Sequence, residues 1–108
     1  VFLGSKMKLK ENVSLKGLKP EIIIAVLVAN DVYWYYGHEM VITSVADSKH
    51  SRASLHYVGY AVDLRTRNID EDIVSQIVEQ IRGSLTDEFD VIFETNHIHI
   101  EYQPKNKM

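Results

Sequence analysis

The run IIIAVLVA, Ile22 to Ala29, is the longest apolar stretch of the chain, and it constrains the fold more than any other feature. A membrane span takes about 20 consecutive apolar residues, and this run falls far short of that. It therefore belongs in a protein core. Pro20 suits the first turn of a helix and Gly37 suits its stop, so KPEIIIAVLVANDVYWYYG reads as one helix. Its apolar positions are too dense for a single stripe, which predicts a helix buried on most sides. The YWYY run, Tyr33 to Tyr36, reads as helix packing, and His38 as a residue of the turn that follows.

The remaining segments supply the layer that such a helix needs. EMVITS, Glu39 to Ser44, and GYAVDLRT, Gly59 to Thr66, read as strands. Between them VADSKHSRASLHY is rich in turn formers and reads as a loop, the kind of segment that often carries function. DEDIVSQIVEQIRG is an amphipathic helix: Ile73, Ile77 and Ile81 recur at four-residue steps, acidic residues crowd its start, and Gly83 ends it. FDVIFE and HIHIEY are two strands joined by a tight turn near Thr95 and Asn96. The order α-β-β-α-β-β predicts an α+β fold, a small, mostly antiparallel sheet with helices packed on one face.

A chain of 108 residues with 45% hydrophobic content suits one domain with one core. VFLGSK, residues 1–6, reads as an appended remnant, with Met7 as the natural start and residues 7–108 as a single domain. The N-terminus lacks the basic-then-apolar build of a signal peptide. A net charge of −3 gives no reason to expect a nucleic-acid partner, and no segment suggests a membrane one. There is no cysteine, so any metal site must be built from His, Asp or Glu.

Side chains alternate between the two faces of a strand. In HIHIEY this puts His97, His99 and Glu101 on one face and Ile98, Ile100 and Tyr102 on the core face. In YAVDLR it puts Tyr60, Val62 and Leu64 toward the core, with Ala61, Asp63 and Arg65 on the opposite face. His56 lies in the loop just ahead. If the two strands are neighbours, His56, Asp63 and His99 converge. Two imidazoles and a carboxylate are a suitable donor set for zinc, which in catalytic sites keeps three protein ligands and one open position. Taken singly, each residue has a plainer role: H-x-H as a solvated strand face, His56 and His50 as loop residues, Asp63 as a partner of Arg65 or Arg67.

The combination Ser54, His56, Gly59, Ala61, Asp63, then His97 and His99, resembles the signature S-x-H-x-x-G-x-A-x-D … H-x-H of the zinc D-Ala-D-Ala peptidase family and its hedgehog-like and lysostaphin-like relatives. The resemblance spans the chain from the first helix through HIHIEY and is greatest to short phage-encoded members. It implies a hedgehog/DD-peptidase-like fold with Zn2+ held by His56, Asp63 and His99, and with His97 as the catalytic or transition-state-stabilising residue. Some relatives place a glutamate as general base three residues before the last ligand histidine. Here Asn96 stands there, and Glu94, three before His97, is the candidate base. A shifted register would make His97 the ligand.

Many relatives also bind a substrate carboxylate through the arginine of an S-G-Y-R segment. This chain has SVAD, Ser44 to Asp47, so Lys49, Arg52, Arg65 or Arg67 is expected to take that role, with Ser54 holding a ligand in place. Gly59 and Ala61 keep the site uncrowded, and Glu101 is placed to orient His99. The implied activity is that of a zinc-dependent peptidoglycan peptidase, a D,D-carboxypeptidase or an endopeptidase acting on wall stem peptides, in a phage virion or in the host cytoplasm before release. The alternative is a non-catalytic zinc-binding module of the same fold.

Overall fold

The computed structural model describes residues 7–46 and 60–104. Seven elements follow one another: β1 (Met7–Leu9), α1 (Pro20–Tyr35), β2 (Met40–Ala46), β3 (Ala61–Arg65), α2 (Glu71–Ser84), β4 (Phe89–Glu94) and β5 (His97–Tyr102). The strands form one sheet in the order β1-β2-β3-β5-β4. β1 runs parallel to β2, and every other pair is antiparallel. The fold is thus α+β, as expected, with a mixed five-stranded sheet and two helices packed against it.

The strand absent from the sequence reading is β1. MKL is only three residues long, lies at the sheet edge and buries little, so it leaves no periodic apolar signal. Its pairing with β2 makes α1 the crossover of a parallel unit.

α1 begins with Pro20 and ends in a paired-bond cap, in which His38 N–H donates to Tyr33 O and Gly37 N–H to Trp34 O. Gly37 takes φ 81°, a conformation that glycine adopts without steric cost. The expectation that α1 is buried on most sides is not met. Ile22, Ala25, Val26, Ala29, Val32 and Tyr33 enter the core, but Ile23, Ile24 and Leu27 are exposed. In a two-layer fold the helix has only the sheet and α2 to pack on, so its far side faces water whatever its composition. No helix among the described residues is long and apolar enough to cross a membrane.

α2 buries Val74, Ile77, Val78 and Ile81, a stripe at steps of three and four. Ile73 is only partly buried beside it, and the helix continues through Gly83 to Ser84. These side chains join Met40, Ile42, Val62, Leu64, Val91, Ile98 and Ile100 in one core between the helices and the sheet. Burial of that face commits the opposite face to Asp63, Arg65, His97, His99 and Glu101, as alternation predicts.

Candidate metal centre

Pairing of β3 with β5 sets Asp63 directly opposite His99 and Arg65 opposite His97. Directly opposed side chains have Cβ atoms about 4.5–5.5 Å apart, close enough for a carboxylate to reach an imidazole. Asp63 Oδ1 lies 2.7 Å from His99 Nδ1 and 3.6 Å from His97 Nε2. One ligand atom each from Asp63, His97 and His99 fits within 4.8 Å of the others, so the three residues are close enough to hold a metal ion. Three ligands about 2.1 Å from a tetrahedral ion lie roughly 3.4 Å from one another, which small side-chain adjustments would reach from here.

His99 is the best-held member. Its second nitrogen, Nε2, is 2.8 Å from Glu101 Oε1, and Gln103 Nε2 donates to Glu101 Oε2 at 2.7 Å. Glu101 is only 1% exposed, and a carboxylate buried that deeply is costly unless it is paired. The arrangement fits a metal-ligating histidine that donates its far N–H to a carboxylate, which fixes the ring and its tautomer. The hydrogen bond to Asp63, aided by the one to Glu101, raises the His99 pKa above its ordinary value, while burial works against them.

His97 sits more openly. Its Nδ1–H donates to Asn96 Oδ1 at 2.7 Å, which directs Nε2 toward Asp63 and toward Glu94 Oε1, 3.2 Å away. Glu94 and His97 are the register pair that closes the β4–β5 turn. Thr95 in that turn has φ 38°, uncommon for a β-branched residue. Asn96 cannot act as a base, yet it orients His97, a role that its amide type does not reveal in the sequence.

On the other side of Asp63, β2 carries an extra residue: the register steps from Ile42–Leu64 to Ser44–Asp63. The bulge falls at Thr43, whose hydroxyl donates to Asp63 O at 3.4 Å. Bulges of this kind re-aim side chains beside functional sites. A cleft of about 490 Å³ opens here, lined by Thr43, Asp63, Arg65, Asn96 and His97, with Lys10 and Arg67. Arg65 was expected at the site; Lys10 was not, because it follows a strand that the sequence does not announce.

The structure therefore brings together Asp63, His99, His97 and Glu94, with Glu101 behind His99. His56, Arg52, Ser54, Lys49 and Gly59 lie outside the described residues. Comparison with known proteins adds no relative: no protein-family model, no curated protein and no solved structure matches the chain.

Proposed function

We propose that the chain is a zinc-dependent peptidase acting on peptidoglycan stem peptides. The observation that carries the reading is the meeting of Asp63, His97 and His99 on the sheet face away from the core, with Glu94 in contact with His97 and Glu101 behind His99. The family resemblance of SLHYVGYAVD and HIH supplies the substrate class. Asp63 and His99 are two of the zinc ligands and His56 is the third, which leaves His97 for the chemistry.

Zinc supplies a Lewis acid for the scissile carbonyl and makes water a stronger acid. The chain's own groups manage the protons. Glu94, whose Oε1 lies 3.2 Å from His97 Nε2 at the edge of the cluster, is the carboxylate we assign to take the proton of the attacking water and return it to the departing amine. His97 donates Nδ1–H to Asn96, so it stabilises the charge that builds on the carbonyl oxygen in its doubly protonated form, through Nε2–H. Asp63 and His99 stay fixed throughout, braced by Glu101 and Gln103.

The test compares zinc content and turnover of a pentapeptide stem in the wild type, His99→Ala and His97→Ala. About one zinc per chain, lost in His99→Ala, is expected. His97→Ala should keep its zinc and lose turnover by about 10²–10³-fold, the usual cost of one charge-stabilising group. Loss of zinc in His97→Ala would place His97 among the ligands instead. Absence of zinc in all three, even after it is offered, would defeat the proposal. Zinc retained with no turnover on any wall peptide would favour a non-catalytic zinc module of this fold.

A further inference from the structure

α1 keeps an apolar strip that its own fold leaves uncovered. Ile23, Ile24, Leu27 and Tyr35 face away from the core and are 43%, 57%, 54% and 77% exposed. Pro20, Ile24, Leu27, Asp31 and Trp34 step along the helix by four and three residues in turn, the spacing with which one helix lies lengthwise on another. Bare side chains of this size offer about 150–250 Å² each, so the four exposed ones leave roughly 500 Å² open on one chain. Two such strips laid together cover about 1,000 Å² in all, the size at which a specific interface begins.

Asp31 is the one charged residue within the strip, and among the described residues no ion pair or side-chain hydrogen bond holds it. A carboxylate set into an apolar contact is costly unless an opposite charge meets it. Parallel pairing of two copies would set Asp31 against Asp31. Antiparallel pairing supplies the opposite charge. Asp31 and Pro20 are equally far along the helix from the point midway between Ile24 and Leu27. A two-fold axis at that point brings each Asp31 over the start of the other helix, where Lys19 is the N-cap residue and makes no side-chain cap bond. The partial positive charge of a helix N-terminus adds to that of Lys19. Glu21 shares this first turn, but its Oε1 is buried within its own chain.

We infer that α1 docks antiparallel along α1 of a second copy of this chain, with Ile24 against Leu27 across the axis and Asp31 beside Lys19 at both ends. Such a pairing uses the same patch on both chains and closes at two. The metal cluster lies on the sheet face away from α1, so both centres stay open and face outward on opposite sides of the dimer. The pair can then engage a repeating ligand at two points. None of this depends on the peptidase reading.

Sedimentation equilibrium of the full chain in EDTA, from about 1 to about 300 μM, measures the association with no ion to bridge the chains. The wild type should pass reversibly from monomer to dimer. Leu27→Lys places two like charges at the axis and should raise the dimer Kd by about 100-fold or more. Leu27 is half exposed, so the variant should keep the circular dichroism of the wild type. A charge swap checks the register. Lys19→Asp and Asp31→Lys each suit their own helix, an acid at its start and a base toward its end. Each should nevertheless weaken the dimer by about 10-fold, and Lys19→Asp/Asp31→Lys should recover most of that loss. A wild type that stays monomeric throughout, assembly beyond two chains, a dimer indifferent to Leu27→Lys, or a swap without recovery would overturn the inference.

Discussion

His99 has a carboxylate at each ring nitrogen, Asp63 at Nδ1 and Glu101 at Nε2. Without metal the ring is best placed as an imidazolium between them, and its pKa is raised, chiefly by the bond to Asp63. A raised pKa in the folded state means that the charged ring stabilises the fold fully below the unfolded value of about 6.5, and that this stabilisation is lost as pH climbs through the folded value. Metal-free protein should therefore lose unfolding free energy on going upward from about pH 6.5. Urea denaturation at several pH values checks this, with His99→Gln as the control that lacks the slope. Parallel curves for the two chains would refute it. If zinc binds as proposed, its pH dependence would be the opposite, because Nδ1 would have to shed its proton to hold the ion, and zinc affinity should rise over the same interval.

At the scale of elements, β3 is the strand on which the site depends, and its placement comes from both sheet and helix. β2 and β5 flank it, the bulge at Thr43 sets the β2 register, and Tyr33 of α1 donates its hydroxyl to Arg65 O at 2.8 Å. Tyr33 is fully buried, and burial pushes its hydroxyl pKa up, so it stays a neutral donor. Tyr33→Phe leaves that carbonyl without its donor and should cost about 1–2 kcal/mol in chemical denaturation. A value near zero would mean that the bond does not anchor β3. The alternation of HIHIEY and YAVDLR was legible because a strand with one buried face must repeat every two residues. The partnership of β3 with β5 was not, because it joins residues 36 apart through packing that neither segment encodes alone. β1, and with it Lys10, was hidden for the opposite reason: one partly buried and two exposed residues carry no pattern. The exposed strip of α1 misled because apolar density reports what a helix prefers to bury, while the number of layers decides what it can.

Across the whole molecule, the cluster draws Asp63 from β3, His97 and His99 from β5, and Glu94 from the end of β4. Asp63 and His99 meet only when β3 pairs with β5, so an ion held between them binds the folded chain and not the unfolded one. Mass action then converts affinity into stability: zinc at about 100 times its Kd contributes about 2.7 kcal/mol. For a domain of this size that corresponds to a rise in Tm of roughly 10–15 °C. Thermal unfolding with and without zinc, followed by chelation, measures it directly. Chelator should return the Tm to its metal-free value, since nothing in the core depends on the ion. Asp63→Asn should lower the metal-free Tm, because it removes the carboxylate that chiefly holds the charged His99 ring, and should also abolish most of the zinc-induced rise above that new baseline, because an amide is a far poorer ligand than a carboxylate. A zinc shift of equal size in Asp63→Asn would show that the ion binds elsewhere on the chain. No shift in the wild type would mean that the meeting of these residues on the sheet serves the fold through His99 and its two carboxylates alone.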